Sequence, residues 1–323
     1  MPCVAFMKTP GMDLSVIVCT RNRATNLAML FASLDAQRMG RQVAWEVVVV
    51  DNGSTDRTAD VIRQHTVSHP ERYRYLHETR VGKSFALNRG VREARGLILA
   101  FTDDDCIVNE AWVREILAEF ERDPCLGVLG GRVELFDPRD KPITIITEPK
   151  RTVVSRMKTF IEPIIIGCNM AIRRDVLLET GSFDIGMAPG SKSGAIAEDL
   201  DLAYRIVRRG YHALYSPDVL VRHNHGRRAD EEVIGLLFRY CAGRGAFYAK
   251  HMFRDRLVAK CAVSDIVRTI HLILKGEEVA RERRFLHAVL SGFCSRYVRA
   301  LRSGWQEGLK SSKSRVGMSV DHS

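Results

Sequence analysis

At 323 residues, 46% hydrophobic and 27% charged, the chain can bury a full core, which excludes disorder as its main state. Eight scattered cysteines without a C-x-x-C pair exclude a zinc cluster or disulfide framework and fit a reducing, cytosolic compartment. The net charge of +10 is C-terminal, with 19 Lys+Arg against 10 Asp+Glu over residues 226–323 and 30 against 29 before them; such a segment meets water, an anionic membrane or nucleic acid, the last being disfavoured.

Residues 1–12 read as a tail, and their MPCVAFMKTPGMD opening predicts no export signal; no run of roughly 18 apolar residues predicts a membrane span. From Leu14 to about residue 134, short β-rich runs alternate with amphipathic stretches, the pattern of a parallel sheet covered on both faces by helices. Leu14–Cys19 is the first strand, followed by the turn Thr20–Arg23 and a helix carrying Leu27, Leu30, Phe31 and Leu34 at helical spacing. Glu46–Val50 is continuous and β-branched, as a strand buried on both faces should be, and it ends in Asp51–Asp56, where Thr55 or Asp56 can cap the next helix. Tyr73–Leu76 and a helix near Lys83–Ala94 follow, and then the strand Leu97–Phe101 runs into Asp103, Asp104 and Asp105. Open α/β sheets bind ligands outside the carboxyl ends of their strands, so the three polar loops are expected to converge on one site.

Beyond Asp137, prolines 142, 149 and 163 mark loops, and Ile164–Ile166 is expected to be a strand ahead of Gly167–Met170. From Glu231 the pattern is helical, with an apolar stretch Val263–Leu274 broken by Asp265, Arg268 and His271, then the charged run Glu277–Arg284. The expected organisation is a main domain over 13–228, a helical extension over 229–303 and a flexible tail over 304–323.

Three consecutive aspartates repel one another unless a cation or many donors compensate, and such oxygen ligands suit hard ions such as Mg²⁺ or Mn²⁺. A solvated acidic turn capping the helix near Asn109 reads the same in isolation; position after a buried strand favours a site. Glu198–Asp201 opens a helix whose Leu202, Ile206 and Val207 face a core, so a carboxylate there can enter a cleft as a general base. Acids in a first helical turn also simply answer the macrodipole.

Ser15–Thr20, Val48–Ser54, Thr102–Asp105, Gly181–Asp184 and Glu198–Asp201, joined by Gly167–Arg173 and Arg205-x-x-x-Arg209-Gly210-Tyr211, resemble the family 2 glycosyltransferases in order and spacing over roughly residues 13–250. The resemblance implies an α/β fold of GT-A type, with a mostly parallel central sheet flanked by helices and a C-terminal helical extension. It implies inverting transfer of a sugar from a nucleotide-diphosphate sugar to a lipid-linked or saccharide acceptor hydroxyl in cell-envelope or extracellular polysaccharide or glycolipid synthesis, with Mn²⁺ or Mg²⁺ as cofactor. Thr20, Arg21, Arg23 and Asp51 are thereby expected around the base and ribose, and Arg80 and Lys83 along the diphosphate. Asp103 and Asp105 form the Asp-x-Asp pair that holds metal, Asp103 also helping with the donor, and His223 adds a metal ligand. Asp104 and Asn169 join the donor-binding set, and Asp199 beside Glu198 supplies the base. Gly82-Lys83-Ser84 is no Walker loop, since the earlier glycine is missing. Leu237–Gly245 replaces the Gln-x-x-Arg-Trp of processive members, implying single-sugar addition with Arg239 and Arg244 near phosphate. The basic C-terminal helices are expected to touch an anionic inner membrane face. A catalytically silent nucleotide-sugar-binding or scaffold domain is the alternative; a nucleotidyltransferase is disfavoured because Thr20–Arg23 has no glycine.

Overall fold

A computed structural model describes residues 11–154, 164–191, 194–275 and 286–294. Its elements are β1 (Leu14–Thr20), α1 (Leu27–Asp35), β2 (Trp45–Asp51), α2 (Thr58–Ser68), β3 (Tyr73–His77), α3 (Lys83–Glu93), β4 (Ile98–Asp103), β5 (Cys106–Val108), α4 (Trp112–Arg122), β6 (Leu126–Leu135), β7 (Thr152–Val154), β8 (Asn169–Arg173), α5 (Arg174–Thr180), α6 (Glu198–Arg208), β9 (His212–His223), α7 (Asp230–His251) and α8 (Arg256–Leu274).

The valine run of β2 is wholly buried because helices cover both faces of the sheet. Val47 and Val49 join Leu30, Phe31 and Leu34 of α1, Ile62 of α2 and Trp112 and Ile116 of α4 in the main core, whereas Val48 and Val50 meet Ala86 of α3 on the other face. Alternation along one strand therefore fills two layers. The approach of α3 is close: a Cβ added at Gly90 would lie 2.5 Å from Ile17 Cγ2.

The sheet order is β3-β2-β1-β4-β8-β6-β9-β5, with β7 also on β9. Only its first part follows the expected parallel pattern, through β3, β2, β1 and β4. The strand β8 runs against both β4 and β6, β6 and β9 are parallel, and β5 and β7 run against β9. Most paired residues therefore lie in parallel ladders, as expected, and the antiparallel strands β5, β7 and β8 make the sheet mixed. The Asp104–Asp105 turn from β4 into β5 is too short for a helical crossover and reverses the strand.

Ile164–Ile166 is not a strand. Ile165 is buried as loop, and pairing with β4 begins at Asn169, opposite Thr102. Neither candidate occupies the cap of α2, which is Arg57 without a side-chain cap bond; Asp56 Oδ1, one residue earlier, accepts from Thr58 N at 2.9 Å, while Thr55 N donates to Asn22 Oδ1. Although spacing predicts no disulfide framework, Cys125 is disulfide-bonded; Cys19, Cys106, Cys168, Cys241, Cys261 and Cys294 are free thiols.

The chain divides into two compact units, Met1–Ser191 with Glu198–Gly235, and Lys192–Ala197 with Leu236–Ser323. Within the second, α7 and the helical residues 286–294 pack backbone to backbone: a Cβ at Gly245 would lie 1.8 Å from Val289 O, and one at Gly292 1.7 Å from Ala242 O. Arg244, expected near phosphate, instead has Nε 2.9 Å from Tyr248 Oη and 3.0 Å from Asp265 Oδ2, and Arg239 Nε donates to Gly194 O. Among the described residues no helix is long and apolar enough to cross a membrane. The run Glu277–Arg284 and the tail beyond Ser303 lie outside the described residues.

Candidate active site

The register pairs Thr20 with Asp51 and Cys19 with Asp103, so the strand tips end level. They open on a cavity of about 310 Å³. Thr20, Arg21 and Arg23 line it from the loop after β1, Asn52 from the end of β2, Gly82 and Lys83 from the start of α3, and Asp103, Asp104 and Asp105 from β4 and its turn. Pro189, Gly190 and Arg227 close the remaining sides.

Two of the residues expected at the donor also hold the loops together. Asp51 is buried, accepting from Ser54 N at 2.9 Å and from the Tyr75 hydroxyl at 3.2 Å. Arg80 forks onto Glu78 at 2.9 and 2.8 Å and stacks on Phe85; that hydrogen-bonded guanidinium brings the Glu78 carboxyl down to about 2. Asn169 is not brought to the cleft. Its Oδ1 accepts from Trp112 Nε1 at 2.9 Å, and its Nδ2 donates to Arg132 O and Val219 O, so its amide satisfies buried polar groups between strands.

Asn52 and Arg227 were assigned no role from sequence. Asn52 Nδ2 donates to Arg80 O and Glu78 O while its Oδ1 accepts from Gly82 N at 2.8 Å, fixing the loop that presents Lys83. Its only sequence signal was its place in the Val48–Ser54 motif. Arg227 sits in the basic Arg227-Arg228 pair after β9, which gave no direction for either side chain.

The three aspartates are not equivalent. Asp103 Oδ1 accepts from Lys83 Nζ at 2.6 Å. Burial opposes the Lys83 charge, but Asp103 and Glu198 outweigh it and hold this ammonium well above its ordinary range. Asp104 is pushed up to about 7, chiefly by burial and then, against the Thr20 hydroxyl, by Asp105 and Asp103; Arg23 Nε stands 3.9 Å away. Asp105 is buried too, yet the hydrogen bond and charge of His223 bring it below the usual carboxylate value.

His223 ends β9 opposite Cys106, its Nε2 3.2 Å from Asp105 Oδ1 and its Nδ1 3.2 Å from Thr144 Oγ1. Burial pulls its pKa down, but neighbours, first the Cys168 sulfur and then Asp105, carry it up to about 9. Ligand atoms of Asp105, Cys106 and His223 all lie within 4.8 Å of one another. A carboxylate and an imidazole oriented through its second nitrogen fit a divalent cation. His225 packs edge-on to His223 and accepts from Arg227 N.

The helix α6 begins with Glu198 and Asp199, which are not among the residues lining the cavity. Asp199 Oδ2 accepts from Gly167 N at 2.9 Å and Oδ1 from Leu200 N at 2.7 Å. Burial raises Asp199, against those N–H groups and Lys83. Glu198 is 5% exposed, with Oε2 lacking a hydrogen-bond partner; burial and then Asp199 push it up to about 8. The charges of Lys83 and Asp103 both act on Glu198, so the two acidic clusters share one electrostatic neighbourhood. Deeper in α6, Arg205 binds Asp201 at 2.9 Å and holds the carbonyls of Thr180, Gly181 and Ser182. The Gly181–Asp184 motif is thereby fastened to the helix that carries Glu198 and Asp199.

The raised Glu198 value has a testable sign. A folded pKa of about 8 against an ordinary 4.5 means that the fold favours the protonated acid. Stability from this group is complete below about pH 4.5 and is lost as pH rises through about 8. Glu198→Gln keeps the neutral shape, so its unfolding free energy should match wild type near pH 4.5 and exceed it increasingly up to about pH 8.5, by a few kcal/mol. Parallel thermal-denaturation profiles across that range would refute the assignment.

The Glycosyl transferase family 2 description matches residues 15–181, just over half of the chain. Glycosyltransferase AglE of Haloferax volcanii is 24% identical over 209 residues, 65% of this chain and 66% of AglE, and the match to a Nostoc sp. glycosyltransferase spans 40% of that protein. Among solved structures, the mannosyltransferase PcManGT of Pyrobaculum calidifontis, in complex with GDP-Man and Mn²⁺, superposes with a TM-score of 0.62 at 22% identity over 92% of this chain and 80% of its own. S. aureus TarS 1-349 with UDP-GlcNAc gives 0.60 at 16% identity, covering 92% of each chain. These likenesses give the fold, a mixed α/β sheet of GT-A type flanked by helices. With its motifs arrayed at the strand tips and its first 181 residues matched by the family description from Ser15 onward, the chain belongs to glycosyl transferase family 2.

Proposed function

We propose that this protein transfers one sugar at a time from a nucleotide-diphosphate sugar to an acceptor hydroxyl, with inversion at the anomeric carbon. The observation that supports the reading is the Lys83 ammonium, which donates to Asp103 beside the Asp105–His223 pair while its charge and that of Asp103 also act on Glu198 at the start of α6. Thr20, Arg21 and Arg23 would receive the base and ribose, and Lys83 and Arg227, which line the same cavity, would meet the diphosphate.

Asp105 and His223, with Asp103 once Lys83 turns to the diphosphate, would hold a divalent cation. An imidazole among the donors favours Mn²⁺ over Mg²⁺, which prefers oxygen and dehydrates reluctantly; the Mn²⁺ complex of PcManGT supports the same choice. Once bound, such an ion supplies positive charge against the departing diphosphate.

Asp199 takes the proton of the acceptor hydroxyl as that oxygen bonds to the anomeric carbon and the carbon–phosphate-oxygen bond breaks, releasing the nucleoside diphosphate. Glu198 keeps its proton at neutral pH and so is the poorer acceptor. The N–H groups of Gly167 and Leu200 aim the Asp199 carboxylate, leaving lone pairs for the hydroxyl.

A saccharide or lipid-linked acceptor of the cell envelope is the proposed substrate class. The outer face of α8 supports a peripheral membrane contact. Val263, Val267, Ile270 and Leu274 are exposed there, beside Arg256, Lys260, Arg268 and Lys275, an apolar and cationic mixture suited to an anionic interface.

The test is a thermal-shift screen of nucleotide sugars with Mn²⁺, followed by transfer assays. At 100 times Kd the true donor should add about 2.7 kcal/mol of stability, and a product of inverted anomeric configuration should form. A donor that stabilises the protein yet is never cleaved or transferred would favour the silent scaffold instead, and stabilisation by no nucleotide sugar would dismiss both.

A further inference from the structure

A second group of ligand-bearing side chains lies at the amino ends of the strands, on the edge of the sheet opposite the donor cleft. Asp35 is the last residue of α1, and His65 and His69 sit one helical turn apart at the end of α2, just before β3. Residues four apart share a helix face. Ligand atoms of Asp35, His65 and His69 all lie within 4.8 Å of one another.

Packing has left these groups poorly paired with protein. The His65 ring stacks on Phe31 with centroids 4.4 Å apart and on His69 at 4.6 Å, and Tyr73 meets it edge-on. His65 Nε2 and His69 Nδ1 are both shielded from solvent without a hydrogen-bond partner, although Asp35 Oδ2 stands 3.3 Å from His65 Nε2. A shielded ring nitrogen without a partner, as on His69, costs stability. Burial, helped by His69 and opposed by Asp35, lowers the His65 pKa and keeps its lone pair free. The other Asp35 oxygen accepts from the Tyr73 hydroxyl at 2.7 Å, the outer contact that orients a ligating carboxylate.

We propose that Asp35, His65 and His69 form a binding site for a borderline divalent transition ion, Zn²⁺ in the first instance, which pins the end of α1 to the end of α2. Two imidazoles and one carboxylate make a three-ligand set that leaves a tetrahedral position for water. Such donors select Zn²⁺ over the harder Mg²⁺. Ligand atoms around tetrahedral Zn²⁺ stand about 3.3 Å apart, so the site must tighten on loading. A rotation of His69, the residue that caps α2, brings its ring inward.

Zn²⁺ also suits Asp105 and His223, so the test uses the full chain carrying His223→Ala. Titration with ZnCl₂ in excess Mg²⁺, followed calorimetrically, should show one equivalent bound. Adding His69→Ala or Asp35→Asn should weaken that binding on the order of 100-fold, and Tyr73→Phe about tenfold. Co²⁺ should give the visible spectrum of a tetrahedral N/O site in the parent and not in His69→Ala. The exposed carboxylate of Asp35 makes Asp35→Asn decisive if the histidine variant does not fold. Equal Zn²⁺ affinity in parent and Asp35→Asn, or displacement of Zn²⁺ by Mg²⁺, would overturn the proposal.

Discussion

Asp105→Asn is expected to lower kcat/KM on the order of 10³-fold and to abolish stabilisation by Mn²⁺ together with donor. The size follows from losing the charge that anchors the cation opposing the leaving diphosphate, a contribution of several kcal/mol in a water-poor site. The fold should survive. Asp105 holds the β4–β5 turn to the end of β9 through its backbone carbonyl, which accepts from Asn224 N at 2.8 Å, and asparagine keeps that bond. His223 Nε2 loses a carboxylate partner at 3.2 Å but finds an amide oxygen of the same shape. A variant with wild-type Mn²⁺ dependence and turnover would remove Asp105 from the cation site and leave the adjacent acids to explain the activity.

Asp199→Asn should reduce kcat by about 10²–10⁴-fold while donor affinity changes little, since the lost function is acceptance of the acceptor's proton. The amide cannot accept from both Gly167 N and Leu200 N, so some stability is lost as well; a stabilising donor allows the two effects to be measured separately. Glu198→Gln provides the internal comparison. Because Glu198 holds its proton up to about pH 8, glutamine imitates its neutral state, and activity near pH 7 should stay within about tenfold of wild type. If Glu198→Gln loses as much as Asp199→Asn, the roles of the two acids are reversed.

The strand tips were legible because the physics there is local. A run such as Val47–Val50 must be buried on both faces, and acids directly after it must sit at a sheet edge. Strand direction was not legible: β8 has the same apolar character whether it runs with β4 or against it, and only the pairing of Thr102 with Asn169 fixes its sense. Ile164–Ile166 misled for a related reason, since burial as loop and burial as strand select the same side chains. Asn169 belongs to a motif near the site, but its amide answers Trp112 and two carbonyls; a buried asparagine and a ligand-binding one look alike in sequence. Arg227 reaches the cavity only because the chain folds back after β9, a long-range fact that no spacing encodes. The histidines of α2 stood at ligand spacing, but Asp35 lies 30 positions earlier and only packing brings it to them.

Lys83 has one positive charge and two claimants. While it rests against Asp103 at 2.6 Å, part of the aspartate cluster is already neutralised, which blunts its pull on a divalent ion. An arriving diphosphate that draws the ammonium away restores that pull, and reciprocity requires the ion to strengthen the grip on the diphosphate by the same factor. On the proposed mechanism the two ligands should enter cooperatively, with the metal held weakly until the donor arrives.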